Sequence, residues 1–148
     1  MKDGITIYLA GEIHSDWRDE FRSMLERRGV PASCVGPQDV HARSDSVGED
    51  ILGEQPNQRY RDLMGASVNT LRTRVLMRRA DLAVARFGDK YRQWNTATDA
   101  GTAVAMGLPL ILVRDLELLH ALKELDALAT LTVETLDQAA EAVSYIFE

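Results

Sequence analysis

The sequence predicts a three-layer, doubly wound α/β domain with a five-stranded parallel sheet in the flavodoxin-like order 2-1-3-4-5. Short apolar segments of strand length alternate along the chain with longer segments of helical periodicity. Such alternation requires parallel strands with right-handed crossovers, which place helices on both faces of the sheet. We find no internal repeat and no linker, so we predict a single domain over residues 1–148.

The first half of the chain supplies two strands and two helices. Ile5–Ala10 is a β-branched, apolar run, and Cys34–Val35 marks a weak second strand. Between them, Ser15 is a suitable N-cap for a helix that continues to about Arg28. Arg59–Arg79 carries a broad apolar face at helical spacing, which predicts one long helix.

The second half contributes three strands, each followed by a helix. The strands are Leu82–Ala85, Leu110–Val113 and Leu131–Val133, and the helices are Thr96–Met106, Leu116–Leu128 and Leu136–Phe147. Gly107 and Pro109, just beyond the first of these helices, are typical of a helix end.

A long polar segment, residues 36–57, separates the second strand from the long helix. It is rich in Gly, Pro, Asp and Ser, and loops of this length inside a compact domain are usually functional or disordered. We favour a functional loop, because Val40, Ile51 and Leu52 offer it apolar anchors. His41 is the first residue of the polar centre of this segment. In the functional interpretation the polar centre closes over a ligand, and in the alternative it is an ordinary loop.

Composition excludes several classes of function. A formal net charge of −6 argues against nucleic-acid binding, and no apolar stretch approaches the roughly 20 residues of a membrane span. Residues 1–4 lead directly into the first strand, so we expect no signal peptide. The single cysteine, Cys34, excludes an internal disulfide and fits a reducing, cytoplasmic location. His14, Cys34 and His41 match no zinc-ligand spacing, and no glycine-rich dinucleotide motif follows the first strand, so we expect neither metal nor cofactor.

Ligands of doubly wound sheets bind beyond the carboxyl ends of the strands, where the winding direction switches. This rule places the site near three segments: residues 11–14 after the first strand, residues 87–95 after the third, and the long segment after the second. Glu12 and His14 lie in the first of these segments, and Asp89 lies in the second.

Asp99 is the strongest candidate for a reactive group. If the helix starts near Thr96, Asp99 lies in its first turn, where the amide dipoles stabilise a carboxylate. An ionised, oriented carboxylate suits a nucleophile that attacks a sugar carbon. Residues 96–99 also fit a capping box, and on local sequence alone that structural interpretation is the stronger.

Two further pairs have open interpretations. In one interpretation, Glu12 and Asp99 face each other as acid and nucleophile, which is the two-carboxylate arrangement of glycosyl chemistry. In the other, Glu12 only caps a helix or forms a local salt bridge. Tyr91 and Trp94 stack on a base, or they are packing residues of the loop.

Two motifs resemble those of nucleoside 2-deoxyribosyltransferases. The segment NTATDAGTAVAMGLP, residues 95–109, resembles the helix-opening motif of that family, with Asp99 at the position of its nucleophilic glutamate and Asn95–Thr96 at its Gly-Thr. IYLAG, residues 7–11, resembles the first strand of the family, whose tyrosine matches Tyr8.

A closer resemblance, over most of residues 5–113, is to the YtoQ family of the same superfamily. It is carried by YLAGEIHSDWR, GPQDVHARSD, NTLRTRVLMRRADLAVARFGDKYRQWN and TDAG. Relative to the transferase motif, Gln93 stands where the leading aspartate belongs, and Asp89 is the candidate to replace it. Asp99 is one methylene shorter than the superfamily glutamate.

The resemblance implies an enzyme that acts on the N-glycosidic bond of a nucleoside, as a deoxyribosyltransferase or an N-glycosidase. Its catalytic carboxylates would be Asp99, Glu12 and Asp89. The ligand would be a small nucleoside or nucleotide-like molecule. The substrate-binding candidates are Tyr8, Gly11, His14, His41, Asn69, Tyr91, Trp94, Asn95 and Thr96.

Two aspects of function stay open. The broad apolar face of the long helix predicts a homodimer. Related enzymes complete their sites across a dimer interface with such a helix, so Asn69 reaches the neighbouring site in one interpretation and is simply solvent-facing in the other. A non-catalytic nucleoside- or nucleotide-binding module on the same fold is the alternative to an enzyme, because fold alone does not determine function.

Overall fold

The computed structural model describes residues 3–90 and 92–148. They form a five-stranded sheet in the order β2-β1-β3-β4-β5, and every neighbouring pair is parallel, which confirms the predicted fold class. The strands are β1 (Ile5–Ala10), β2 (Ala32–Val35), β3 (Leu82–Phe87), β4 (Leu110–Arg114) and β5 (Leu131–Val133). The helices are α1 (Trp17–Arg27), α2 (His41–Leu52), α3 (Gln58–Arg79), α4 (Trp94–Ala105), α5 (Lys123–Leu128) and α6 (Leu136–Tyr145).

The central strand β1 connects the two helical layers through the alternation of its side chains. Ile7 and Leu9 point to one face, where they pack with Phe21 of α1 and with α6. Tyr8 points to the opposite face, where it packs with Met77 of α3 and Ala100 of α4. The side chain of Tyr8 is therefore buried between the sheet and the helix that carries Asp99.

The prediction of a long loop over residues 36–57 is wrong, because the centre of this segment forms helix α2. Its serine, aspartate and glycine residues have low intrinsic helix propensity, so the sequence pattern does not reveal the helix. Packing against α3 supplies the missing stability. The two helices approach closely at Gly48, where an added Cβ would lie 2.5 Å from the backbone nitrogen of Gly65.

The predicted apolar anchors of this segment are also wrong. Val40, Ile51 and Leu52 are all exposed, and the apolar side chain that α2 buries is Val47. The segment is thus held by a close helix crossing, in which glycine permits backbone contact, rather than by large side chains inserted into the core.

Three other helices differ from the predicted boundaries. A 3-10 turn at Leu116–Leu118 precedes α5, so the predicted helix over Leu116–Leu128 is interrupted. Helix α1 begins at Trp17 with Asp16, not Ser15, at its N-cap position. Helix α4 begins at Trp94, two residues before the predicted start, and this shift changes the interpretation of Asp99.

Helix α3 is long and largely uncovered. Of its 22 residues, Gly65 and Met77 are the buried ones. Large apolar side chains are exposed along it: Tyr60, Leu63, Leu71 and Val75. Within the described parts of the chain, no helix is both long enough and apolar enough to cross a membrane.

Candidate active site at the carboxyl edge of the sheet

Tyr8 and Asp99 form a hydrogen-bonded pair between β1 and α4. The phenol of Tyr8 donates to Asp99 Oδ2 at 3.2 Å, although 91 positions separate the two residues in sequence. Tyr8 is fully buried and also hydrogen bonds to Thr73 of α3, whereas Asp99 is half-buried. The tertiary structure thus holds the Asp99 carboxylate in one orientation by means of a buried donor.

Burial governs the ionisation of this pair. Desolvation raises the pKa of Asp99 to about 6, although the hydrogen bond from Tyr8 and the positive charge of Arg18 both oppose the increase. Desolvation, together with the neighbouring Asp99 charge, raises the pKa of Tyr8 well above its usual value, so the phenol remains a donor at neutral pH. Asp99 is therefore ionised at pH 7 but is more basic than an ordinary aspartate.

The capping-box interpretation of residues 96–99 is wrong. Because α4 begins at Trp94, Thr96 is the third helical residue and Asp99 the sixth, beyond the first turn. The favourable dipole of the first turn, which the sequence suggested for Asp99, does not apply at this position. The Asp99 carboxylate bonds to Tyr8 on the neighbouring strand instead.

Glu12 organises the turn that follows β1. Its carboxylate accepts the backbone N–H groups of His14, at 2.6 Å, and Ser15, at 3.0 Å, together with the Ser15 hydroxyl. Arg86 of β3 lies 3.5 Å from the same carboxylate. Burial opposes ionisation, but these donors outweigh it and hold the pKa of Glu12 below its usual value. An ionised, fully bonded carboxylate supports the local structural interpretation of Glu12 and gives no support to the role of acid.

Gly11 is required at the start of this turn. An added Cβ would lie 2.4 Å from the buried Trp17 ring, whose indole nitrogen donates to the Glu12 carbonyl at 3.0 Å. Gly11 thus permits the close approach that closes the turn, which is a structural reason for a glycine at this predicted ligand-binding position.

Helix α2 reaches the same edge of the sheet through a histidine contact. The rings of His14 and His41 meet edge to face with their centroids 5.6 Å apart, and His41 Nε2 lies 3.2 Å from Asp45. The two histidines predicted for ligand binding are therefore neighbours. This ring contact places His41, the first residue of α2, beside the turn that follows β1.

Asn69 has a different environment from the one predicted. Its side-chain amide donates to the backbone oxygen of Ser44 at 3.0 Å and to the Ser44 hydroxyl at 3.2 Å. These bonds join α3 to α2 within one chain. The structure assigns Asn69 a contact in the helix pair, and its predicted role in a neighbouring subunit's site stays a prediction.

Asp89 and Trp94 lie in a separate groove. This groove, of about 1020 Å³, runs over the carboxyl ends of β3 and β4 and is bordered by Arg86, Arg92 and Arg114. Trp94 is 71% exposed, and Arg92 lies 5.5 Å from the centre of its ring. Glu12, His14, Asn95 and Asp99 are not among the lining residues of the groove, so the structure does not group all the predicted site residues in one cavity.

The loop between β3 and α4 is fastened by Gln93. Its side chain accepts the Gly88 N–H at 3.0 Å and donates to the Gly88 carbonyl at 2.7 Å, while its own backbone is left-handed, with φ of 47°. Asn95 is exposed in the first turn of α4 and Thr96 is buried. Tyr91, predicted to stack on a base, lies outside the described residues.

Sequence reasoning missed Arg18, the buried cation at the end of β1. Its spacing from Phe21 and Leu25 places it on the apolar face of α1, and a charged residue on such a face was the available signal. No cluster of three or more metal-ligating side chains occurs in the portion of the chain that the structure describes.

The fold of the protein is that of the nucleoside deoxyribosyltransferase-like α/β proteins. A solved structure of a conserved protein from Enterococcus faecalis V583 aligns with a TM-score of 0.63 at 18% identity, covering 97% of this chain and 99% of that one. A 2-deoxyribosyltransferase from Bacillus psychrosaccharolyticus aligns with a TM-score of 0.54 at 18% identity, covering 91% and 90%.

Sequence comparison is more specific than these structural alignments. A family model described as nucleoside 2-deoxyribosyltransferase YtoQ matches residues 8–147. Protein YtoQ of Bacillus subtilis (strain 168) is 51% identical over 142 residues, which cover 96% of each chain. The chain belongs to the YtoQ family.

Proposed function

We propose that the protein is a nucleoside-processing enzyme that breaks an N-glycosidic bond, with Asp99 as the carboxylate nucleophile. The observation that carries this proposal is the hydrogen bond from buried Tyr8 to half-buried Asp99 at the carboxyl edge of the sheet. The hydrogen bond orients Asp99 Oδ2, and in this proposal an oxygen of the same carboxylate attacks the substrate. The name of the matching family and the fold support a nucleoside as the ligand.

The proposed chemistry has two displacements at the anomeric carbon. An oxygen of Asp99 attacks C1′ while the C1′–N bond breaks, and the bonding electrons leave with the base, which takes a proton from solvent. Water or the nitrogen of a second base then attacks C1′, and the Asp99 carboxylate is released. Water as the acceptor gives a hydrolase, and a second base gives a transferase.

The raised pKa of Asp99 suits this role. A carboxylate with a pKa of about 6 is more basic than an ordinary aspartate, yet it remains mostly ionised at neutral pH. Glu12 is not the acid in this scheme, because its carboxylate is ionised and bonded within its own turn.

The test is a chromatographic screen for released base. Purified protein is incubated with nucleosides, deoxynucleosides and NAD, with and without a second base as acceptor. Asp99→Asn removes the nucleophile and should abolish turnover. Asp19→Asn, an exposed change in a surface pair with Arg22, is the matched control and should retain it. Wild-type turnover by folded Asp99→Asn would contradict the proposal.

A non-catalytic nucleoside-binding module is the second candidate. The engagement of Glu12 in its own turn favours it, because the two-carboxylate arrangement of many glycosidases then lacks its acid. For a binding module, nucleosides would raise the melting temperature with no base released, and Asp99→Asn would change affinity only.

We also propose that the protein is a homodimer packed through α3. A long helix with four exposed large apolar side chains is unusual for a monomer, and such a face is typically covered by another subunit. Leu71, which is 67% exposed, is the most accessible of the four. Light scattering at micromolar concentration should give the dimer mass for the wild-type protein and the monomer mass for Leu71→Asp. A monomeric wild-type protein would contradict the proposal.

A cytoplasmic location is part of the same proposal. The single cysteine, Cys34, is half-buried in β2, and burial raises the pKa of its thiol, which suits an unreactive thiol in a reducing compartment. Fractionation of the producing cells, with the protein detected by antibody, tests the location.

A further inference from the structure

Arg18 is an arginine buried at the end of the central strand, with only 7% of its surface exposed. Its Nη1 donates to the Glu12 carbonyl at 2.7 Å, and its Nη2 donates to the carbonyls of Leu9 and Gly11 at 3.1 and 2.9 Å. The planar guanidinium therefore bridges the last residues of β1 and the turn that follows. It holds in place the strand end that carries Tyr8.

The three hydrogen-bond acceptors of Arg18 are neutral, so its charge is compensated instead by the Trp17 ring, whose centre lies 4.6 Å from the guanidinium carbon, and by the charges of Glu12 and Asp39. Arg18 takes part in no salt bridge within residues 3–90 and 92–148, and its buried Nε has no hydrogen-bond partner there. Burying a cation without a contacting carboxylate costs free energy, and desolvation lowers the pKa of Arg18. Holding three carbonyls does not by itself explain why a charged residue occupies this position.

Arg18 is linked to the Tyr8–Asp99 pair through β1, because the Leu9 carbonyl that its Nη2 binds at 3.1 Å directly follows Tyr8, whose phenol donates to Asp99 at 3.2 Å. Burial raises the pKa of both groups, and the Arg18 charge opposes that increase in each. Gly36, the residue after β2, approaches the same strand end, since an added Cβ there would lie 2.9 Å from the Leu9 carbonyl oxygen that Arg18 binds. Gly36 thus permits a close contact with the segment that Arg18 holds.

We propose that Arg18 is a positioning residue of the Asp99 site, which fixes the end of β1 and supplies the positive charge that favours the ionised carboxylate. It acts through Asp99 and the strand rather than on the substrate. The proposal deepens the proposed function and rests on the assignment of Asp99 as the reactive carboxylate.

The test is an NMR titration of the Asp99 side-chain carboxyl carbon in four proteins. Arg18→Met removes the charge and the hydrogen bonds, and should shift the Asp99 titration to higher pH. Arg18→Lys keeps the charge, but its donors share one nitrogen and cannot reproduce the planar fork that reaches the three carbonyls from Nη1 and Nη2; it should titrate close to wild type while losing thermal stability. Arg22→Met, one turn along the same helix, removes an exposed charge and is the matched control, with no shift expected.

Each outcome decides the role of Arg18. Equal Asp99 titrations in wild type and folded Arg18→Met overturn the proposal, as does a shift in Arg22→Met as large as that in Arg18→Met. If Arg18→Met does not fold, Arg18→Gln, which keeps two N–H donors and removes the charge, is titrated in its place and judged by the same criterion.

The titration requires no turnover, so it separates this proposal from the proposed function. If the titration shifts but the protein cleaves no nucleoside, the positioning role of Arg18 is supported and the proposed enzymatic function is contradicted. If the protein is an active enzyme but substitution of Arg18 does not change the Asp99 titration, only the positioning role is contradicted. In an active enzyme, the acidic limb of the kcat/KM profile should move to higher pH in Arg18→Met and return with Arg18→Lys.

Discussion

Tyr8 Oη lies 3.2 Å from Asp99 Oδ2, and this contact joins the central strand to the helix that follows β3. Both residues are removed from bulk water to different degrees, Tyr8 completely and Asp99 in part. Toward an ionised carboxylate, which carries no proton, the phenol acts as the donor, so it stabilises the ionised form of Asp99 against the effect of burial. This balance makes the pair sensitive to pH and to single substitutions.

The first prediction concerns the pH dependence of turnover. The nucleophile must be ionised, and with a pKa of about 6 for Asp99 the rate should fall about tenfold per pH unit well below pH 6. Tyr8→Phe removes a hydrogen bond to the ionised form, so the acidic limb should move up by roughly 1 unit. Profiles of kcat/KM between pH 4.5 and 8.5, roughly the stable range of most domains, measure both effects. If the acidic limb of the profile is at the same pH in Tyr8→Phe and in the wild type, the hydrogen bond from Tyr8 does not control the ionisation of Asp99.

The second prediction is that Asp99→Asn stabilises the protein at neutral pH. The pKa of Asp99 is raised on folding, so the folded state binds its proton more tightly, and stability decreases as pH rises from the ordinary aspartate pKa of 3.8 to about 6. Above that window, removing the charge should gain about 1–2 kcal/mol, a value reduced for partial exposure. Urea unfolding at pH 8 should show the gain, and at the acidic end of the window it should be nearly absent. An equal effect at both pH values would show that the charge is not its origin.

The third prediction separates a structural Glu12 from a catalytic one. Glu12→Gln loses charge-assisted bonds to two backbone N–H groups and should cost about 1–3 kcal/mol of stability at pH 7. Because the pKa of Glu12 is lowered on folding, its contribution is present above the ordinary glutamate pKa of 4.5 and is lost as pH falls through the folded pKa. Unfolding measured against pH, with exposed Glu20→Gln as the control, checks this. A large decrease in kcat with unchanged stability would instead make Glu12 the acid.

The fourth prediction concerns the crossing of α2 and α3. Gly48→Ala would place a methyl group 2.5 Å from the backbone nitrogen of Gly65, so the helices must separate, at a cost of about 1–3 kcal/mol. Gly101→Ala, in α4, meets nothing within 4 Å and should stabilise the protein by about 0.5–1 kcal/mol, because alanine is the better helix former. Opposite signs in thermal unfolding are expected; destabilisation by both would contradict the packing explanation.

Local pattern was sufficient for the sheet and for most of the helices. Apolar strands such as β1 and β3, buried on both faces, give continuous runs that are visible in sequence, and alternation with helices then determines a parallel sheet. Helix α2 was missed because its stability comes from contact with α3 at Gly48, and no local signal reports that contact.

The sequence by itself determined the fold class, and it predicted the carboxyl edge of the sheet as the site and Asp99 as its reactive residue. Only the tertiary structure decided which groups Asp99 and Glu12 contact. Asp99 bonds to Tyr8 rather than capping its helix, and Glu12 is bonded within its own turn. The same holds for Arg18. The charge and orientation of a side chain depend on its burial and its hydrogen-bond partners, and both are supplied by residues that are far apart in sequence.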